Sequence, residues 1–323
     1  MAKRIDIDER RRGRQAEKPR EIPRAGWIDI LLRTKREASR DYMSLIAAGV
    51  AFYGLLAIFP ALAALISIYG LVADPAEIKQ QMSGMLTVLP PEAAGILNQQ
   101  LQTLASQPSG GLSIGVAAGI LLALWSAAKG IKALIQGLNI AYDEEEQRGF
   151  FKLNLVSLAF TAGALLAVLM AAAADVIAPL ALERAGLGAQ TEALIALLRW
   201  PALFALLIAG LSLLYRYGPS RRRARWQWIS VGSLVAAIAW IAGSSALSFY
   251  IGRFGNYDAT YGSLGAAIGL MMWMWLSTIV ILFGAELNSE IEHQTARDST
   301  EGLDKPLGAR GAAMADSVGK SAD

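Results

Sequence analysis

Few residues in this sequence could do chemistry, because ionisable side chains rarely interrupt its apolar runs. Arg199 is one of them, beside Trp200 and Pro201 inside a long apolar stretch. It either lines a polar path or extends its guanidinium to nearby headgroups from close to a helix end. Glu286 closes another apolar stretch, in the string Phe283-Gly284-Ala285-Glu286-Leu287-Asn288. A carboxylate there can pair with a cation on a neighbouring helix, or handle a proton or a substrate. Asp143-Glu144-Glu145-Glu146 could hold a divalent cation, or be a solvated run favoured by the dipole of the helix that follows. Arg221, Arg222, Arg223 and Arg225 precede Trp226 and Trp228. Such a cluster can contact RNA phosphates or anionic lipid headgroups. It has no interleaved stacking aromatics beyond interface tryptophans, so topology and headgroup binding account for it and no nucleic acid is expected.

Much of the usual catalytic apparatus is missing. The chain has no cysteine and one histidine, His293, which leaves no disulfide, no thiolate metal site and little for a histidine-based one. There is no phosphate-binding loop, no dinucleotide fingerprint and no His-Glu-x-x-His motif. No cofactor and no metal are expected.

The elements that must position these residues are membrane spans. Of 323 residues, 54% are hydrophobic and mean hydropathy is +0.39, above the apolar share of an ordinary soluble domain. A bilayer core needs roughly 20 apolar helical residues. Six runs approach or exceed that length: about 45–71 with Pro60 inside, 112–128, 151–174, 193–215, 228–250 and 263–286. The Lys/Arg counts in the segments before, between and after them run 13, 1, 4, 1, 5, 1, 4. Positive residues stay on the cytoplasmic side. The alternation therefore predicts six spans with both termini in the cytoplasm, and no cleavable leader. Between the first two spans, Ile78, Met82, Met85 and Leu89, then Ala93, Leu97, Leu101 and Leu104, recur at helical spacing around Pro90-Pro91. This predicts an amphipathic helical hairpin on the periplasmic face. Ile131, Leu134, Ile135, Leu138 and Tyr142 predict a cytoplasmic amphipathic helix after the second span. Trp27, Ile28 and Leu31 ahead of Arg33, Lys35 and Arg36 predict an interfacial helix before the first. Residues 1–26 and 293–323 read as disordered cytoplasmic tails flanking a 27–292 membrane domain. Gly115-x-x-x-Gly119 and Gly265-x-x-x-Gly269 are candidate close-packing faces, and at least one of Trp273 and Trp275 should face the bundle.

Several strings together resemble the YihY/BrkB family of bacterial inner-membrane proteins, over roughly residues 30–292. They are Ala47-Ala48-Gly49-Val50-Ala51-Phe52-Tyr53 leading to Phe59-Pro60, and Trp125-Ser126 followed by Gly137-Leu138-Asn139-Ile140-Ala141-Tyr142, Arg148 and Phe150. Tyr217-Gly218-Pro219, Trp240, Tyr250, Phe254, Tyr261-Gly262-Ser263-Leu264, Trp273 and Gly284-Ala285-Glu286-Leu287-Asn288 complete the set. The resemblance implies a six-helix integral membrane protein. It carries an old ribonuclease BN label, widely regarded as a misassignment, and a virulence-factor label that names no reaction. Links of some relatives to export of envelope lipid or lipopolysaccharide precursor imply a transport-like role.

The expectation is thus an all-α polytopic bundle of about six transmembrane helices in a bacterial cytoplasmic membrane, acting in envelope maintenance. It would move a lipid or amphipathic solute past Asn139, Arg199, Tyr250, Tyr261, Glu286 and Asn288, polar groups that punctuate apolar helices or sit at their ends. Its partners would be the bilayer and its anionic lipids. The alternatives are a non-transport scaffold or accessory subunit and, third, a tRNA-processing ribonuclease. Oligomeric state is not readable.

Overall fold

A computed structural model describes the backbone of residues 12–69, 114–185, 189–254 and 264–321. Side chains are described for 12–58, 60–61, 64, 118–170, 197–251, 253 and 267–321. The periplasmic hairpin expected between the first two spans, and Tyr261, lie outside the described residues.

Seven helices follow a short 3-10 turn at Pro19–Glu21: α1 Arg24–Arg40, α2 Met43–Tyr69, α3 Ile114–Ala141, α4 Phe150–Ala185, α5 Ala189–Tyr217, α6 Trp226–Phe254 and α7 Leu264–His293. No strand occurs among the described residues, apart from an isolated bridge between Ala224 and Thr300. Five helices (α3 to α7) are long and apolar enough to cross a membrane. The pair α1 and α2, bent by 60° between them, brings the number to six. The chain is a multi-pass membrane helix bundle. Its outward faces carry Phe52, Leu56, Leu121, Leu122, Phe151, Leu155, Leu166, Leu197, Leu234 and Phe249, all exposed. A surface so apolar is unfavourable in water and is what hydrocarbon requires.

The bundle's core lies where α2, α3, α6 and α7 meet. α2 packs along α3, α7 inserts against α6 and α2, and α5 and α4 flank α6 and α3. Lipid supplies no hydrophobic drive between helices, so close approach and hydrogen bonds must hold them. Both are present. A Cβ on Gly232 would meet the Gly284 carbonyl oxygen at 2.2 Å, and one on Gly284 would meet the Tyr215 hydroxyl at 2.4 Å. Tyr215 donates to the Ile281 carbonyl at 2.8 Å, Ser212 to Ser233 at 2.9 Å, and the Trp240 indole to Ser277 at 2.9 Å. Trp273 faces inward as expected, donating to Ser244 at 3.2 Å and packing its ring on Trp240 at 5.9 Å. Gly119, in contrast, has nothing within 4 Å of its would-be Cβ, and Gly269 meets only ordinary contact at 3.6 Å. Among the described glycines, a close crossing lies at Gly232 and Gly284; Gly115 and Gly265, the other halves of the two motifs, lie outside the described side chains.

Three further expectations are corrected. The second span does not stop at 128: α3 runs unbroken from Ile114 to Ala141 and absorbs the predicted amphipathic helix. Lys129 and Lys132 gave the appearance of a boundary. Within the helix Lys132 reaches Asn154 and covers the Trp125 ring at 5.3 Å, so its charge does not have to end the span. The C-terminal tail is not disordered. Gln294, Thr295, Ser299 and Thr300 are fully buried, and Arg310 binds the carbonyls of Arg297, Lys305, Ala296 and Ala315. Residues 12–26 are ordered with it, through Arg12 on Asp29 at 2.9 Å and Thr295 donating to the Ala16 carbonyl at 2.7 Å. The physical reason is charge. The tail brings acids to a basic loop and carbonyls to buried arginines, contacts that compositional reasoning about polar tails does not weigh.

Candidate functional site

The polar residues of the sequence gather at one end of the bundle. There α3 turns into α4, α5 into α6, and α7 into the tail. Asn139 lies in the last turn of α3 and is buried. Its amide donates to Glu146 at 3.1 Å, and its oxygen accepts from the Ser220 backbone at 2.8 Å, so it ties two turns together. Asp143 takes φ +51 in the first of these turns, a left-handed conformation its short polar side chain tolerates. Glu146 accepts from both ends of the Arg148 fork, at 2.7 and 2.6 Å, and from the Arg148 backbone at 3.0 Å. Burial opposes ionisation of Glu146. The Arg148 donors and Asn139 outweigh it and hold this carboxyl down at about 2. Arg148 also donates to the Gly218 carbonyl at 2.8 Å. The acidic run is therefore a turn-fixing element through Glu146. Glu144 departs from it to accept the Ala313 N–H at 2.7 Å, with burial raising its carboxyl above the usual range.

The basic loop is paired, not open. Arg221 and Glu292 form an ion pair at 2.5 Å with side chains 1% and 0% exposed, and the guanidinium lies 4.2 Å from the centre of the Tyr142 ring. Burial pushes the Tyr142 phenol up, and Arg221 pulls it back in part. Arg222 faces Asp298 at 3.7 Å and donates to the Glu301 and Leu303 carbonyls. Arg223 faces Glu301 at 3.7 Å, and Arg225 meets Asp304 at 2.5 Å. Each of these arginines, expected to serve topology or headgroup binding, thus has an acid of the chain as a partner, Glu292 from α7 and the others from the tail. Arg33, read from the sequence only as part of an interfacial helix, donates to Glu290 of α7 at 2.5 Å and to the Gln294 amide oxygen just beyond α7 at 2.8 Å.

Of the six polar-path residues, the structure brings three to this end. Asn288 is buried, accepting the Gly232 N–H at 2.8 Å and donating to the Ile229 carbonyl at 3.2 Å. Glu286 is buried two residues before it, and Asn139 is buried in the last turn of α3. Arg199 and Tyr250 stand elsewhere. Arg199 lies 18 residues before the end of α5, roughly 27 Å along the helix, with its guanidinium 5.2 Å from the centre of the Trp200 ring. Tyr250 is 24 residues beyond the start of α6 and half exposed. A single passage does not join all five described residues.

Midway along the bundle is a different feature. A crevice of about 350 Å³ lies between α2, α3, α4 and α7. Gly54, Ala61, Gly130, Ala164, Trp273 and Met274 are among its lining residues. Its hydroxyls are internally satisfied: Thr161 donates to the Ser157 carbonyl and Thr278 to the Met274 carbonyl, each at 2.8 Å. The wall is therefore apolar. Small residues on α2 and α3 make the space, since a Cβ on Gly130 would come within 3.3 Å of the α2 backbone.

The sequence of this bundle matches a known family. The description Virulence factor BrkB matches residues 34–307, from α1 through all six spans into the tail. The chain belongs to this family. Among BrkB-family relatives, the putative ribonuclease-like protein YfkH of Bacillus subtilis is 33% identical over 249 residues, 75% of this chain and 88% of YfkH. A UPF0761 membrane protein of Alkalilimnicola ehrlichii is 25% identical over 287 residues, 85% of this chain and 61% of its own length. Another from Tolumonas auensis is 33% identical over 88 residues, covering 27% and 29%. No solved structure matches the chain.

Proposed function

We propose that this BrkB-family protein works in a bacterial cytoplasmic membrane, with both termini inside the cell, and that it holds and moves an envelope lipid or amphipathic solute. The orientation rests on the Lys/Arg alternation, which assigns the polar end of the bundle to the cytoplasm. The observation that carries the lipid reading is the crevice. Its lining residues lie in the interior of four apolar helices and its wall is apolar, as a site for an acyl chain would require. Its volume of about 350 Å³ is at the lower end of the roughly 300–1,000 Å³ range of ligand pockets, which suits a stretch of acyl chain better than a whole lipid. The headgroup would lie toward the cytoplasmic end, where Lys132 and Asn154 meet between α3 and α4.

The test is reconstitution in vesicles containing a phospholipid with a photoactivatable acyl chain and a headgroup fluorophore. Crosslinks should map to residues of the crevice, and Ala61→Trp should abolish them and slow headgroup transfer between leaflets at least about tenfold. Crosslinks spread evenly over the lipid-facing surface, unchanged by Ala61→Trp, would remove the basis of the reading. The name of the Bacillus relative supplies a competing one. Metal-dependent tRNA cleavage by the purified protein, lost in Glu286→Ala, would favour it.

A further inference from the structure

Glu286 is 1% exposed, and neither of its carboxylate oxygens has a hydrogen-bond partner among the described residues. The other acids of this region are provided for. Glu290, one turn on, accepts from Arg33 at 2.5 Å, and Glu292 from Arg221 at 2.5 Å. The Thr34 hydroxyl of α1, the Tyr142 hydroxyl beyond α3 and the Ser289 hydroxyl of α7 are likewise buried without a hydrogen-bond partner among the described residues. Charges within electrostatic reach of it are acids: Glu290, Asp41, Asp143 and Glu37. From α1 the nearby cations are committed, Arg33 to Glu290 and Arg40 to Glu37. α2 presents the apolar start Met43-Ser44-Leu45-Ile46, and α6 presents the backbone at Gly232 with Ala236, neither of which can titrate. Beyond Tyr142, Arg221 is taken by Glu292, and His293 faces Glu290 at 3.6 Å.

An ionised carboxylate cannot persist in such a place. With no hydrogen-bond donor or ion-pair partner among the described residues, it takes up a proton instead. We propose that Glu286 is a proton-binding site, its carboxyl protonated in the resting bundle, and that Asp41 and Asp143 form the relay connecting it to the aqueous face. Exposure grades in the required order: Asp143 is exposed, Asp41 half-buried and Glu286 buried. Asp41 sits at the 60° bend between α1 and α2, beside Tyr42 at φ +50, where a shift of the bend would change its access to Glu286. Its carboxyl is pushed up to about 6, by burial and then by Asp143 and Glu37 against Arg40, a value suited to passing protons in both directions near neutrality. Losing the proton from Glu286 would leave a buried anion among acids, so release must accompany an opening of the α1, α2 and α7 contact. This inference is independent of the lipid reading, since it concerns the resting protein.

The experiment is infrared spectroscopy of the full-length protein in lipid nanodiscs, with glutamate carrying 13C in its side-chain carboxyl. A protonated-carboxyl stretching band should persist at pH 7, shift in deuterated buffer, and vanish in Glu286→Gln with the thermal midpoint unchanged. Asp41→Asn should keep the band and slow its deuterium shift at least about tenfold. Absence of a protonated glutamate band in the unmodified protein at pH 7 would overturn the site. So would loss of the fold in Glu286→Gln while Glu286→Asp folds, because that would show that the anion is required. An unchanged deuterium shift in Asp41→Asn would overturn the relay.

Discussion

The Arg221–Glu292 pair offers a sharp test of how this bundle is held at its polar end. An exposed ion pair contributes under about 1 kcal/mol, because water already solvates both charges. This one is 1% and 0% exposed, joined at 2.5 and 3.2 Å, stacked on Tyr142, and completed by Ser299 donating to Glu292 at 2.7 Å. Removing one partner strands the other charge away from water, at a cost of about 3–5 kcal/mol. For Glu292→Ala the expected value is toward about 3 kcal/mol, because Glu144 remains within electrostatic reach of Arg221. For Arg221→Ala the stranded carboxylate keeps only the Ser299 hydroxyl as a donor. Its cost should be the larger, about 4 kcal/mol. Replacing both by apolar residues of similar volume, Arg221→Met with Glu292→Leu, removes the stranded charge. The double variant should fall within about 1 kcal/mol of the parent. The assay is reversible unfolding in mixed micelles, followed by the fluorescence of Trp228, which is 1% exposed. A double variant as unstable as the sum of the singles, or a single costing less than about 1 kcal/mol, would refute the claim that this pair is buried and mutually dependent.

The other expectations follow from named contacts. Gly232→Ala and Gly284→Ala should each lower stability by about 1–3 kcal/mol, because the new Cβ would meet the Gly284 carbonyl oxygen at 2.2 Å in the first, and Tyr215 of α5 at 2.4 Å and Ala236 of α6 at 2.8 Å in the second, so α7 must shift from its neighbours. Gly119→Ala, with open space at the site, should change the unfolding midpoint little. Truncation after residue 294 removes Asp298, Glu301 and Asp304 from Arg216, Arg222, Arg223 and Arg225. The shortened protein should retain more anionic lipid on purification, by mass spectrometry of extracted lipids, and lose the excess at about 1 M salt, where screening acts over about 3 Å. Asp41 titrates at about 6 when folded against an ordinary 3.8, so its contribution is fully present below 3.8 and lost as pH rises through 6. Asp41→Asn should therefore leave the midpoint unchanged at pH 3.5 and raise it relative to the parent at pH 7.5.

Much of the architecture was legible in the sequence because lipid imposes simple demands. Long apolar runs must be helices, and charge asymmetry orders them, so α4, α5, α6 and α7 start within four residues of the expected positions. α3 was cut short because Lys129 and Lys132 look like a boundary to a composition count. The same window held the correction: Ile131, Leu134, Ile135 and Leu138 continue the helical spacing, and nothing between Ala128 and Ile131 stops a helix. The candidate site was legible by residue and not by role. Asn139, Glu286 and Asn288 were singled out as polar groups in apolar surroundings, and all three are buried at one end. Their roles depend on partners far along the chain: Ser220 for Asn139, and Gly232 for Asn288, 81 and 56 positions away. Spacing within one helix carries no information about such partners.

The glycines make the same point from the side of packing. Two motifs with the spacing associated with close helix approach were visible in the sequence. The crossing is at Gly232 and Gly284, single glycines on different helices with no second glycine four residues away on either. The spacing is sufficient for a small-residue groove when two helices run side by side for several turns. Here the Tyr215 hydroxyl and the Asn288 amide fill the seam beside the glycines, each hydrogen-bonded across to a backbone atom of another helix. A hydrogen-bonded polar side chain thus does part of the work that a second glycine would do, at a worth of about 0.6 kcal/mol per contact in the membrane. The seam therefore depends on pairs of unlike residues, a glycine and the polar group that meets it. It also separates Glu286 from its neighbours. Tyr215, Asn288 and Asn139 all have partners that explain their burial, and Glu286 has none among the described residues, so its carboxyl is the acid at this end whose burial packing leaves unexplained.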